Sequence, residues 1–112
     1  MMEHLFVYGS LQPGGPNEHV LADIDGIWQP ATVRARLVAE GWGAELGYPG
    51  MIAEDAGELI EGQLLSSEAL HQRWQELDAF EGEQYQRITV DAVLGDGSRI
   101  AAQVYTLKLS EG

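Results

Sequence analysis

The sequence predicts an α+β protein whose sheet is small and either curved or closed. Three observations point there. Several short stretches alternate apolar and polar residues, as half-covered strands do. One longer stretch, late in the chain, carries helical spacing instead. Fourteen glycines among 112 residues supply the turns that a β-rich fold of this size needs.

The elements follow in order. Residues 4–8 read as the first strand, an apolar run that stops at Gly9. A polar loop from Gly9 to Gly15 holds Gly9, Gly14, Gly15 and Pro13. Pro16 to Leu21 fits a short turn of helix, with the proline at an early position. Asp23 to Pro30 reads as loop. Ala31 to Glu40 sets Val33, Ala35 and Leu37 against Arg34 and Arg36, a strand with one covered face. Gly41 to Gly50 is a glycine-rich bend, and Met51 to Glu54 a short strand. Leu59 to Leu65 is another strand, with Gly62 inside it marking a bulge or a close approach.

Ser67 to Phe80 carries the main helix. Ser66 or Ser67 can cap it, and Glu68 suits its first turn. Leu70, Trp74 and Leu77 form one stripe that Glu81 continues, and Gly82 is the stop. Tyr85 to Leu94 and Arg99 to Leu109 read as two strands joined by an Asp96-Gly97 hairpin turn.

Length fits one domain over residues 1–112. No cysteine is present, which excludes disulfides, thiolate catalysis and cysteine-based zinc sites. Glu3-His4 and Glu18-His19 lack metal-ligand spacing, so no metal site is expected. Six basic residues against 18 acidic ones give a net charge of −12. That field repels nucleic acid and anionic membranes and points to a small-molecule partner. No apolar run approaches the roughly 20 residues of a membrane span. The N-terminal residues lack a basic leader and a long apolar core, so no signal peptide is expected and a cytoplasmic location is. Oligomeric state is not legible.

Two places can carry chemistry. Glu81 ends an apolar helical stripe, where burial and the negative end of the helix dipole both raise a carboxyl pKa. Such a group exchanges protons near neutral pH; the bland alternative is a solvated turn residue. The Tyr8-Gly9-Ser10-Leu11 loop offers main-chain N–H groups to a carboxylate or oxyanion, unless it is an ordinary strand-to-loop turn. Ser10 as a nucleophile lacks the G-x-S-x-G elbow and a placed histidine, since His4, His19 and His71 lie on different elements. Tyr85 and Arg87 share a strand face, Tyr85 toward Glu81 and Arg87 toward a carboxylate partner. Trp28, Trp42 and Trp74 read as packing residues, with Trp42 and Tyr48 able to cover a pocket.

Together these pieces resemble the γ-glutamylcyclotransferase-like superfamily, including its AIG2-like and butirosin-cyclotransferase branches. The marks are Phe6-Val7-Tyr8-Gly9-Ser10-Leu11, Gly47-Tyr48-Pro49, Glu61-Gly62-Gln63-Leu64, Leu77-Asp78-Ala79-Phe80-Glu81-Gly82, Tyr85-Gln86-Arg87-Ile88-Thr89-Val90 and Val104-Tyr105. Gln12 and Leu65 depart from it, standing where many relatives carry Arg or Lys and Tyr. The resemblance implies a small β-barrel of short strands with flanking helices. It implies an enzyme that releases 5-oxoproline and a free amine from a γ-glutamyl substrate without metal or cofactor. Glu81 would be the general acid/base, and Tyr8, Gly9, Ser10, Leu11 and Tyr85 would bind substrate. A binding module with the same pocket and no turnover is the alternative, and a Ser10-dependent hydrolase a further one.

Overall fold

Six strands and one α-helix account for most of the residues described by the computed structural model, namely 2–9, 11–15, 18–38, 50–53, 57–83 and 85–107. The strands are β1 (Glu3–Val7), β2 (Ile27–Val38), β3 (Gly50–Ala53), β4 (Glu58–Ser67), β5 (Tyr85–Leu94) and β6 (Arg99–Leu107). The helix is α1 (Trp74–Glu81). Hydrogen-bonded neighbours run β3-β2-β4-β1-β6-β5, and β5 pairs again with β2. That last pairing, Ala31 with Leu94 and Thr32 with Val93, closes a five-stranded barrel and leaves β3 as a flank on β2. All pairings are antiparallel except β1 with β6.

The apolar run at the start of the chain has a structural reason. Leu5, Phe6 and Val7 are all buried. Successive side chains of a strand point to opposite faces, so β1 must be covered on both. Phe6 joins Val33, Ala35, Leu64, Ala92 and Val104 in one cluster, the barrel interior. Leu5 and Val7 join a second cluster with Leu65, Tyr105, Leu70, Trp74 and Leu77. The neighbouring strands alternate in the same way, Leu64 inward and Leu65 outward. The helix therefore lies as an outer layer on this face of the sheet, against β5 and the outward side chains of β1, β4 and β6.

Most expected elements are present, with shifted boundaries. β2 starts at Ile27, four positions before the alternation suggested, so part of the expected 23–30 loop is strand. Ile27 is 63% exposed and Pro30 sits inside the strand, which hides it from pattern reading. Its ladder with β4 runs from Ile27↔Ser66 to Ala35↔Glu58. The expected helix over 67–80 is two pieces, a 3-10 segment at Glu68–Gln72 and then α1. Ser67 caps the first by accepting from the Ala69 amide at 3.0 Å. Arg73 separates them, tied to Asp23 and Glu76 at 3.1 and 2.6 Å. The buried stripe of Leu70, Trp74 and Leu77 runs through both pieces.

Gly62 is a close approach and not a bulge, because the ladder continues through it opposite Ala31. A Cβ there would press into the Val7 carbonyl oxygen and lie 2.7 Å from Phe6 Cζ. The hairpin turn forms as expected: Gly97 takes φ 86° and the Leu94 amide bonds the Ser98 carbonyl at 2.9 Å. The glycine-rich bend, with Trp42, Gly47, Tyr48 and Pro49, lies outside the described residues. Among the described residues no helix is long and apolar enough to cross a membrane.

Candidate functional site

Glu81 is the last residue of α1. Gly82 ends the helix in a positive-φ conformation, its amide bonding the Asp78 carbonyl at 3.1 Å. The stripe that puts Trp74 and Leu77 into the outer core brings Glu81 there too, and it is 9% exposed. Burial disfavours the charged form and pushes its carboxyl from 4.5 up to about 7. The solvated alternative is thereby removed.

Tyr8 follows β1 and opens the loop. Burial raises its phenol first, with the nearby Glu81 and Tyr85 adding to the effect against a hydrogen bond from the Met51 amide. Tyr8, Glu81 and Tyr85 thus share one set of surroundings. The Tyr8 hydroxyl donates to the Tyr105 carbonyl at 2.8 Å and accepts from the Met51 amide at 3.1 Å. Its donor is committed, so this side chain ties β3 and β6 to the head of the loop. Leu11 is buried in the outer core beside Leu21 and Ile24. Gly9 accepts from the Gln12 amide at 3.1 Å, closing a tight turn. Ser10 lies outside the described residues.

Further along the loop, the Gly15 amide bonds the Gln12 carbonyl at 2.8 Å. The Gly14 amide holds the Glu18 carboxylate at 2.6 Å. That contact is local and exposed, four residues apart in the chain, and ties the end of the loop to the residues that follow it.

Tyr85 is buried at the start of β5, and Arg87 lies two residues on, half-buried. Arg87 finds the carboxylate expected of it in Asp78, with Nε at 2.9 Å from Oδ1 and Nη2 at 3.4 Å from Oδ2. Its guanidinium also lies 4.6 Å from the Trp74 ring centroid. Burial raises Asp78, but hydrogen bonds from Arg87 and Tyr105 outweigh it and hold the carboxyl below its usual range. Tyr105 donates to Asp78 Oδ1 at 2.7 Å. Burial, then Asp78, raise its phenol, with Glu81 contributing in the same direction. An open cleft of about 550 Å³ is bordered by Asp78, Gly82, Tyr85, Arg87 and Tyr105. Asp78 and Tyr105 were not singled out as site residues from sequence. The helical i, i+3 spacing of Asp78 to Glu81 was the available signal for the first; pairing across sheets gave none for the second.

Two of the three histidines are engaged elsewhere. His4 Nδ1 meets the Ser66 hydroxyl at 2.7 Å, and His71 Nδ1 lies 3.4 Å from Glu3 Oε2.

The fold is thus a closed five-stranded barrel with a buried carboxyl at the end of the helix that covers it. The profile of the family described as gamma-glutamyl cyclotransferase, AIG2-like, matches residues 5–112, and the chain belongs to that family. An AIG2-like protein from Mus musculus is 26% identical with a TM-score of 0.74, over 98% of this chain and 80% of its own. YkqA from Bacillus subtilis is 28% identical with a TM-score of 0.73, over 98% of this chain. The match spans only 37% of YkqA. A structure described as a gamma-glutamyl cyclotransferase shares the fold at 14% identity and a TM-score of 0.67, over 96% of this chain and 68% of its own. No curated protein sequence matches the chain.

Proposed function

We propose that the protein is a cyclotransferase that converts a γ-glutamyl amine or peptide to 5-oxoproline and a free amine. The observation that carries this reading is the buried Glu81 carboxyl, raised to about 7 and set beside Tyr8 at the head of the loop. A proton-transfer group works best with a pKa near the operating pH. Family membership supports the reaction class.

The substrate's α-amine attacks its own γ-carbonyl carbon, forming the ring C–N bond. Nucleophile and electrophile sit in one molecule, so holding the folded conformer is the main requirement. The α-amine is mostly protonated at neutral pH, with a pKa of about 8. Glu81 takes that proton, the carbonyl oxygen becomes an oxyanion, and the Gly9–Leu11 amides stabilise it. Collapse breaks the γ-amide C–N bond as Glu81 returns the proton to the departing nitrogen, and the second proton of the ring nitrogen passes to water to leave the neutral lactam. Loss of one oxyanion donor typically costs about 3 kcal/mol of barrier. Tyr85 and the Tyr8 main chain line the site. All of this uses side chains and main chain alone.

The test is product identification with a panel of γ-glutamyl compounds. Wild type yields 5-oxoproline, and Glu81→Gln yields none while keeping its circular dichroism spectrum. Equal turnover by that variant removes Glu81 from the mechanism. Release of free glutamate, lost in Ser10→Ala, replaces the reading with hydrolysis. Binding without any product replaces it with a carboxylate-binding module.

A further inference from the structure

Asp78 precedes Glu81 by three positions on α1, and residues so spaced are neighbours on a helix surface, with Cβ atoms roughly 5–6 Å apart. The charge of Asp78 is met from the sheet. Arg87 on β5 grips both of its carboxyl oxygens, and Tyr105 on β6 donates to one of them. The guanidinium is fixed in turn. It lies over Trp74 of α1, and its Nη1 donates to Gln103 Oε1 at 3.3 Å. One knot of side chains therefore fastens the last turns of α1 to β5 and β6. A two-point guanidinium–carboxylate contact sets orientation as well as distance.

The described titratable groups around Glu81 come from every packed element. Tyr8 stands at the end of β1, Tyr85 on β5 and Tyr105 on β6, and beyond Tyr105 stand Asp78 and Arg87. Burial raises the Tyr8 and Tyr105 phenols, so both are neutral at working pH. Glu83, two residues after Glu81, is exposed at the rim of the same cleft; within the contact between helix and sheet the charges are those of Asp78 and Arg87, and as a pair they sum to zero.

We propose that the Asp78–Arg87 pair is a positioning and charge-balancing unit for Glu81: it pins the helix end that carries the carboxyl and cancels two charges, either of which alone would retune the proton on Glu81. The proposal rests on the proton-transfer role assigned to Glu81 above. It assigns Asp78 and Arg87 no contact with substrate.

Its signature is two displacements of opposite sign. Asp78→Asn leaves the Arg87 cation unbalanced, which favours the Glu81 carboxylate and moves its titration to lower pH. Arg87→Met keeps bulk over Trp74 but leaves the Asp78 anion unbalanced, which favours protonated Glu81 and moves the titration up. Each displacement is expected at roughly half a pH unit or more for one charge a helical turn away in a partly buried setting. The double variant restores balance and returns the titration to within about 0.2 units of wild type.

The experiment is a carboxyl-carbon NMR titration of Glu81 in the full chain for wild type, both single variants and the double variant. Opposite shifts with recovery in the double variant support the proposal. Shifts of one sign, no shifts, or a double variant further displaced than either single overturn it. Arg87→Lys separates the two roles and covers the case in which Arg87→Met fails to fold. Lysine keeps the charge but not the fork, so the titration stays in place while kcat falls roughly tenfold from looser positioning. An unchanged kcat overturns the positioning half, and a moved titration the balancing half. The NMR readout needs no turnover. Full activity in Glu81→Gln would therefore remove the catalytic reading without touching the electrostatic result, and the two failures stay distinguishable.

Discussion

Replacing Glu81 with glutamine should make the protein more stable at neutral and alkaline pH. The folded protein holds the Glu81 proton up to about 7, against 4.5 for an ordinary glutamate. A carboxyl with a raised folded pKa binds its proton more tightly in the folded than in the unfolded chain. Its contribution to stability is fully present below about 4.5 and is lost as pH rises through about 7. The shift is 7 minus 4.5 units, and each unit is worth about 1.4 kcal/mol. The ionised group thus costs on the order of 3 kcal/mol. Glu81 is only 9% exposed, so solvent screening takes little from that figure. Glutamine has nearly the same shape and never ionises. At about pH 4 the two proteins should be equally stable; by about pH 8 the variant should lead by about 3 kcal/mol, or roughly 12 °C in melting temperature for a chain of this size. Urea unfolding of both proteins across that range measures the difference directly. Self-repulsion of the acidic chain affects both nearly equally and cancels. A constant offset at all pH values, or a wild type that gains on the variant as pH rises through 7, would refute the burial of an ionising carboxyl at this position.

Tyr8→Phe removes a hydroxyl that serves the Tyr105 carbonyl and the Met51 amide. The two main-chain groups lose a partner at partly buried sites, so unfolding free energy should fall by about 2 kcal/mol; a loss under about 0.5 kcal/mol in denaturant titration contradicts the bridging role. Gly62→Ala forces a methyl group against the Val7 carbonyl oxygen and the Phe6 ring. Main chain cannot yield as a flexible side chain would, so a loss of about 3 kcal/mol or more is expected, read as a melting temperature lowered by more than about 10 °C. A melting curve that overlays that of wild type would show that β1 and β4 are not in such close contact.

Much of the sheet was legible because its strands obey period-two alternation between two environments. β5 is the clearest case: its limits, Tyr85 and Leu94, are those the pattern predicts. The start of β2 was not legible. Ile27 faces outward and Pro30 interrupts the donor pattern, so neither hydrophobicity nor propensity marks a strand there. The β4 ladder holds those residues in place, with Trp28 packed against the outer core. The break at Arg73 was hidden for a different reason. A 3-10 segment and an α-helix can both present residues 70, 74 and 77 to one core, and the ion pairs from Arg73 to Asp23 and Glu76 depend on a loop that spacing does not position.

The candidate site was legible in the burial of Glu81 and only partly in its surroundings. Glu81 could be found because one periodicity governs both burial and address: whatever stands four residues after Leu77 shares its face, and a carboxyl there must meet the core. The loop was harder: it is read for its main-chain N–H groups, and nothing in the pattern says what the Tyr8 and Leu11 side chains do. The structure gives them other work. Leu11 is a core side chain, and the Tyr8 hydroxyl joins strands. Neither side-chain role bears on the main-chain N–H groups, which the sequence already marks as donors. Asp78 and Tyr105 stand among the marks of the family resemblance, yet neither receives a site role from sequence. Their relation to Glu81 exists only after α1 has docked on β5 and β6, with Arg87 and Tyr105 paired across the ladder. A group that tunes an acid through space leaves its trace in the tertiary fold, and the sequence records only that a carboxylate and a cation are available to meet.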